Sequence, residues 1–480
     1  PCARATRGLR RPSLDARSGG LTGPSEVDIH SEPISSVMQI PSSPIRPVLK
    51  KLIVQGLKAV DAQAAVGRAI SRDGAALIIG RRRYDLSCYG RVVVVGAGKA
   101  TAPMARAVEQ RLGRWLHSGF VVVKQGHGLP TKRIVVAEAG HPIPDRSGQS
   151  AAAKLCTMVA ALGRKDLLIV LLSGGASSLL PAPVIGITLA DKQQTTEKLL
   201  RCGATIQEIN TVRKHLSRIK GGRLAELTEA TIVTLVLSDV LGDDLSAIAS
   251  GPTVPDPTTY QDAVAILKRY RIWQAVPLRV RQHLDHGCQG LASETPKPGS
   301  SLFRRVRHHI VGNNATAVTA VTRAARAAGL RTLVHTPALT GEAREAGKRF
   351  GSMARSIVRA GTPLQRPCCL VAGGETTVTV TGKGKGGRAQ EFASAAALEI
   401  AGLAKVLVVA IGTDCTDGPT DAAGAIVDGD TVARAQRLSV DLKGALKHHS
   451  TYPALKRLQQ LIITGPTGTN VNDLYLLLVL

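Results

Sequence analysis

Strand-sized apolar runs that end in glycine-, serine- or aspartate-rich loops recur along this chain of 480 residues. They constrain its fold more than any other feature. The run Val92–Val95 leads into Gly96-Ala-Gly98-Lys99, and Leu167–Leu172 into Ser173-Gly174-Gly175-Ala-Ser177-Ser178. Thr231–Leu237 leads into Ser238-Asp239-Val-Leu-Gly-Asp243-Asp244, and Val406–Ile411 into Gly412-Thr-Asp414-Cys-Thr-Asp417. Wholly apolar runs are those of strands buried on both faces, and helical stretches lie between them. The alternation predicts an α/β fold with a mostly parallel sheet. Further strands are predicted at Gly119–Lys124, Arg133–Ala137, His308–Val311 and Leu474–Leu480, and helices with a buried stripe from Pro47 to about Ile79.

A chain of this length exceeds one ordinary core, so two or three domains are expected. No apolar run approaches the roughly 18 residues of a membrane helix. Eight scattered cysteines without CxxC spacing read as free thiols of a reducing, cytoplasmic setting. The net charge of +27 is spread over the chain, and aromatic content of 2% leaves few platforms for stacking bases. Nucleic acid is therefore excluded in favour of small anions. Residues 1–45, rich in Arg, Ser, Pro and Gly without periodicity and opening on Pro1, read as a disordered or artefactual extension.

The most distinctive stretch is Ala372–Glu391. Thr and Val alternate from Thr376 to Thr381, the pattern of a half-buried strand. The loop Gly382-Lys-Gly384-Lys385-Gly386-Gly387-Arg388 then opens into an Ala-rich helix. Glycine amides, three cations and a helix N-terminus make it a candidate anion receptacle, although a glycine-rich hairpin with solvated lysines has the same pattern. Gly96 to Lys99 is another candidate cradle. It is neither a P-loop, since Val93 and Ala100 replace the required Gly and Ser/Thr, nor a dinucleotide fingerprint, since Thr101 stands at the third Gly. Ser173 to Ser177 is a third. Asp239, Asp243 and Asp244 at a strand end can hold Mg²⁺, and Asp414 and Asp417 form a second acidic loop. Glu208–Leu227 reads as a helix ending near Gly221-Gly222, whose cations, Arg213, Lys214, Arg218 and Lys220, make a solvated face.

The motifs SGGASSLLPAP, EINTVRKHLSRIKGGRLA, LSDVLGDDLSAIASGPTVPDPTT, AGGETTVTVTGKGKGGRAQE, TDCTDGPTDAAGA and TGPTGTNVNDL occur in this order. Together they resemble the class II glycerate 2-kinases, from about residue 46 to the C-terminus. The resemblance implies two α/β domains with the active site in the cleft between them. The N-terminal one, at 46–285, would be Rossmann-like with a mostly parallel sheet. A connecting α/β segment would cover 286–365, and a smaller MOFRL domain 366–480. It implies ATP- and Mg²⁺-dependent phosphorylation of D-glycerate at its 2-hydroxyl by a cytoplasmic enzyme that needs no nucleic acid or membrane and admits a homodimer. The family's functional lysine falls on Lys99 and its arginine on Arg388. Beside them, Asp239 is the candidate to orient the hydroxyl. Gly96, Gly98, Ser173, Gly174, Gly175, Ser177, Asn313, Glu375, Gly384, Lys385, Gly386 and Gly387 are candidates to bind substrate or phosphate, and Asp243, Asp244, Asp414 and Asp417 to bind metal. Where the family pattern has Asn, this chain has Ala389, and Cys415 stands where Gly is usual. The rival readings are a hydroxypyruvate reductase and a non-catalytic anion or nucleotide binder.

Overall fold

The computed structural model describes residues 38–41 and 46–480, and the expectation for 1–45 lies outside these apart from 38–41. That short segment is ordered: Met38 and Ile40 are buried and Gln39 pairs with Ile463. Two helices, Arg46–Ala59 and Ala62–Ala69, open the fold. The helical pattern expected to reach Ile79 stops at Ala69, where β1 (Ile70–Asp73), β2 (Ala76–Ile79) and β3 (Arg82–Asp85) form an antiparallel meander.

The first large sheet contains β4 (Val92–Ala97), β5 (Ser118–Lys124), β6 (Ile134–Ala139), β7 (Leu167–Leu172), β8 (Thr231–Leu237) and β9 (Val306–Gly312). All are parallel, in the order β6-β5-β4-β7-β8-β9. The chain thus winds outward from β4 in one direction and from β7 in the other. This is the doubly wound order, whose ligand crevice lies at the carboxyl ends of the two strands where the direction reverses. Both β4 and β7 are buried along their whole length, as their uninterrupted Val and Leu runs require.

The second sheet holds β10 (Arg331–Leu339), β11 (Cys368–Gly374), β12 (Val406–Gly412), β13 (Gly424–Asp428), β14 (Leu461–Ile462) and β15 (Asp473–Val479), in the order β10-β11-β15-β12-β13-β14. Only β10 and β11 are parallel, and β15 runs antiparallel between β11 and β12. The carboxyl ends of β11 and β12 and the start of β15 therefore share one edge. Helices Ala343–Ala360 and Arg388–Glu399 cover one face with a core of Phe350, Phe392 and Tyr475. On the other face lie helices Asn314–Ala327 and Arg46–Ala59, and that core is continuous with the apolar layer under the first sheet. Gly56 lets the two helices touch: a Cβ there would lie 2.7 Å from Val321.

Two local expectations are corrected. Thr376–Thr381 is not a strand, because β10 and β15 already occupy both edges of β11; Thr377 makes one isolated bridge to Glu342. The helix expected from Glu208 to about Gly221 ends at His215, since the Ser217 hydroxyl accepts the N–H groups of Ile219 and Lys220. Its cations are not all solvated either, for Lys214 and Lys220 are buried. The segment 286–365, expected as a connecting α/β stretch, supplies an edge strand to each sheet, β9 and β10.

Candidate active site

Lys99 follows β4, and the turn that delivers it is built by close approach. Gly98 sits at φ 140°, and a Cβ on it would fall 2.1 Å from the Ser173 hydroxyl. That hydroxyl accepts the Ala100 N–H at 3.0 Å and lies 3.1 Å from the Thr101 hydroxyl. The Gly98 N–H goes to Val122 and the Lys99 N–H to Gly174, both backbone carbonyls. The GAGK turn therefore aims no free amides at a ligand, as a phosphate cradle would; it aims the Lys99 ammonium. Gly96 and Ser173, both expected to bind phosphate, hold strand contacts and the turn instead.

After β7, Gly174 and Gly175 have no acceptor for their N–H groups among the described residues. A Cβ on Gly174 would lie 2.0 Å from an Asp239 oxygen, so only glycine lets this loop reach the carboxylate after β8. Asp239 itself accepts from Asn470 Nδ2 at 3.4 Å. Burial pushes its carboxyl up to about 6, helped by the negative charge of Glu375 and opposed by Lys99. His141 packs on Gly175, and burial together with Lys99 depresses its pKa to about 4, which keeps the imidazole neutral near pH 7.

The second sheet supplies the opposing wall. Asp414, just past β12, accepts from Lys99 Nζ at 2.9 Å, an ion pair that closes the cleft between the two sheets. Arg388, the first residue of its helix, grips Asp473 at the start of β15 with Nε at 2.6 Å and Nη2 at 2.9 Å. Its Nη1 pairs with Glu375 at 2.9 Å, just past β11. Burial holds the Glu375 carboxyl above its ordinary range against the pull of Arg388. Lys99, Asp239, Glu375, Arg388, Asp414 and Asp473 thus form one electrostatic cluster with two cations and four carboxyl groups.

Other expected residues lie elsewhere. Asp417 is buried, and its oxygens accept the N–H groups of Ala389 and Gln390 at 3.0 and 2.8 Å; it caps the Arg388 helix rather than facing a metal. Burial pushes its carboxyl up to about 7. The Ala389 side chain is enclosed in the apolar core, so this residue serves through its amide. Gly384 presses on the backbone of His448 and His449, Gly386 on the Thr451 hydroxyl and Gly387 on Asp417, and Lys385 lies over the Tyr452 ring. The glycine-rich loop is thus anchored along one side, while Gly382 to Lys385 remain exposed. Asp243 accepts from Asn313 at 2.6 Å, and Asp244 accepts the Ser246 N–H. No three His, Cys, Asp or Glu side chains converge as a metal cage among the described residues. Asp473 and Asn470 were not expected; the acidic start of the last strand, beside Thr469 and Asn472, was the only sequence signal for them.

A doubly wound sheet facing a mixed one, with lysine, arginine and four carboxyl groups gathered between their edges, defines an α/β enzyme of small charged substrates. Comparison with known proteins agrees. Residues 48–285 match the model of a domain of unknown function, DUF4147, and 368–473 match the MOFRL family. A glycerate 2-kinase of Pyrococcus horikoshii is 43% identical, over 91% of this chain and 97% of that protein. A protein of Agrobacterium vitis named only provisionally as a hydroxypyruvate reductase is 45% identical, over 81% and 87%. The crystal structure of a Thermotoga maritima glycerate kinase superposes with a TM-score of 0.80 at 39% identity, covering 91% of this chain and 99% of that one. The chain belongs to the class II glycerate kinase family. No helix among the described residues is long and apolar enough to cross a membrane.

Proposed function

We propose that the chain transfers the terminal phosphoryl group of ATP to the 2-hydroxyl of D-glycerate, giving 2-phosphoglycerate and ADP. The observation that carries this reading is the Lys99–Asp414 contact, which joins the carboxyl edges of both sheets beside Arg388 and Asp239. Phosphoryl transfer asks little covalent chemistry of a protein; it needs positioning and neutralisation of charge on the transferred group. Lys99 is placed to meet that group, with the amides of Gly174 and Gly175 beside it. Arg388, oriented by the bidentate grip of Asp473, offers its remaining edge to an anion that displaces Glu375. Asp239, with a carboxyl titrating near neutral pH, accepts the hydroxyl proton as the oxygen–phosphorus bond forms and ADP departs.

The carboxyl excess in the cleft fits a divalent cation, which Mg²⁺ binding by one or two carboxylates plus phosphate oxygens would satisfy without a prebuilt cage. Asp414 and Glu375 would hold it, and when bound it would neutralise phosphate charge. The family likeness also carries a homodimer and a cytoplasmic setting as part of this reading. A reductase reading has less support, because the turn amides that would cradle a dinucleotide pyrophosphate are already bonded within the protein. The test is ³¹P NMR of the full chain with ATP, Mg²⁺ and D-glycerate. A 2-phosphoglycerate resonance growing with ADP is expected. NADH oxidation with hydroxypyruvate and no phosphorylated glycerate would overturn the reading.

A further inference from the structure

Beside the cleft, a second cavity of about 540 Å³ opens between the Gly175–Ser178 turn and the helices Leu189–Arg201 and Ile206–His215. Its inner end carries Lys192, Arg213 and Lys220. Lys192 is 8% exposed, and its buried Nζ has no hydrogen-bond partner among the described residues. Lys220 is 3% exposed and donates only to neutral oxygens, those of Ser177 and the Ala249 carbonyl. Glu197 also lines the cavity, but it pairs with Arg201 at 2.7 Å. Three cations are thus gathered without a carboxylate of their own. The electrostatic price of this is visible: burial with Arg213 nearby lowers Lys192 to about 7, and burial with both neighbours lowers Lys220 well below the ordinary lysine range. Stability alone would not retain an unpaired buried ammonium, which is costly unless an anion answers it.

The outer half of the cavity is different. His141, Pro142, Ile143 and Pro144 face Leu200, and Ile143 is 70% exposed. Gly175 and His141 line the cavity and also touch each other beside the Lys99 side chain, so the cavity continues into the active-site cleft.

We infer that this cavity is the nucleotide subsite of the enzyme: Lys192, Arg213, Lys220 and the Ser177 hydroxyl take the inner phosphates of a nucleoside triphosphate, and the Pro142–Ile143 wall takes its base. The inference rests on the kinase reading and deepens it, since it assigns the nucleotide to the first sheet and leaves glycerate to Arg388 and Asp239, with Lys99 at the transferred group between them. The anion that answers the three cations is a polyphosphate rather than a single carboxylate, because three cations converge.

The experiment uses the full chain and two readouts. Steady-state kinetics of Lys192→Met and Arg213→Gln, with folding checked by thermal melts, should show KM for ATP raised at least about tenfold and KM for D-glycerate changed less than about twofold. Calorimetric titration with inorganic tripolyphosphate, which needs no turnover, should show binding to the wild type weakened at least about tenfold in both variants. A rise in KM for glycerate instead would place the substrate carboxylate there and overturn the inference. Unchanged tripolyphosphate binding in both variants, or none in the wild type, would overturn it too. If the wild type lacks kinase activity yet binds tripolyphosphate through Lys192, the polyphosphate subsite stands and the kinase reading fails.

Discussion

Asp239 differs from the other carboxylates of the cleft in making no ion pair among the described residues. Asp414 has Lys99, and Glu375 and Asp473 share Arg388. Its one side-chain partner is the Asn470 amide. Buried and without a cation of its own, the Asp239 carboxyl is pushed up to about 6, into the range that suits a base at neutral pH. Activity should therefore rise with pH through about 6 as Asp239 loses its proton and level off above. Asp239→Asn should lower kcat by about 10²–10³ and remove that acid limb, since a positioned base is worth about 10²–10⁴. A pH–rate profile of both proteins checks this. An acid limb that survives in the variant would assign it to another group.

At the scale of elements, the legible parts of the fold were those with a single physical demand. Strands β7 and β8 were readable to the residue, because a strand buried on both faces must be apolar throughout. Strand β10 was not, since its exposed edge residues Arg331, Val334 and His335 carry no alternation. Thr376–Thr381 had the alternation without a sheet edge to join. The site divides in the same way. Lys99, Arg388, Asp239, Glu375 and Asp414 are brought together, whereas Asp417 became a helix cap. Glycine marks close approach equally well to a ligand or to another backbone, and only the fold decides which. The acidic turn after β12 offers a direct test. Cys415 holds φ 68° there, a left-handed conformation that costs an L-residue about 1–2 kcal/mol. Cys415→Gly should stabilise the protein by about 0.5–1 kcal/mol after the greater unfolded-state freedom of glycine is subtracted. Urea denaturation measures it, and a loss of stability would mean that packing of the thiol outweighs the backbone strain.

The whole molecule works as two sheets presenting their loop-bearing edges to each other. The doubly wound order sets one edge at β4, β7 and β8, and the antiparallel β15 brings Asn470 and Asp473 to the other. The helix Arg46–Ala59 packs across the second sheet's helix, and the Thr469 hydroxyl donates to the Val60 carbonyl, which ties this helical segment to the turn before β15.

The central claim is that catalysis requires Lys99 of one sheet beside Asp414 and Arg388 of the other. The most direct measurement is an enolase-coupled rate with ATP, Mg²⁺ and D-glycerate, without phosphoglycerate mutase, for the wild type and Lys99→Met. The account predicts wild-type turnover and a fall of at least about 10²–10³ in the variant, the loss expected when a charge that stabilises the transition state is removed. A Lys99→Met protein within about threefold of the wild type, or a wild type that turns over only when mutase is added, would contradict it.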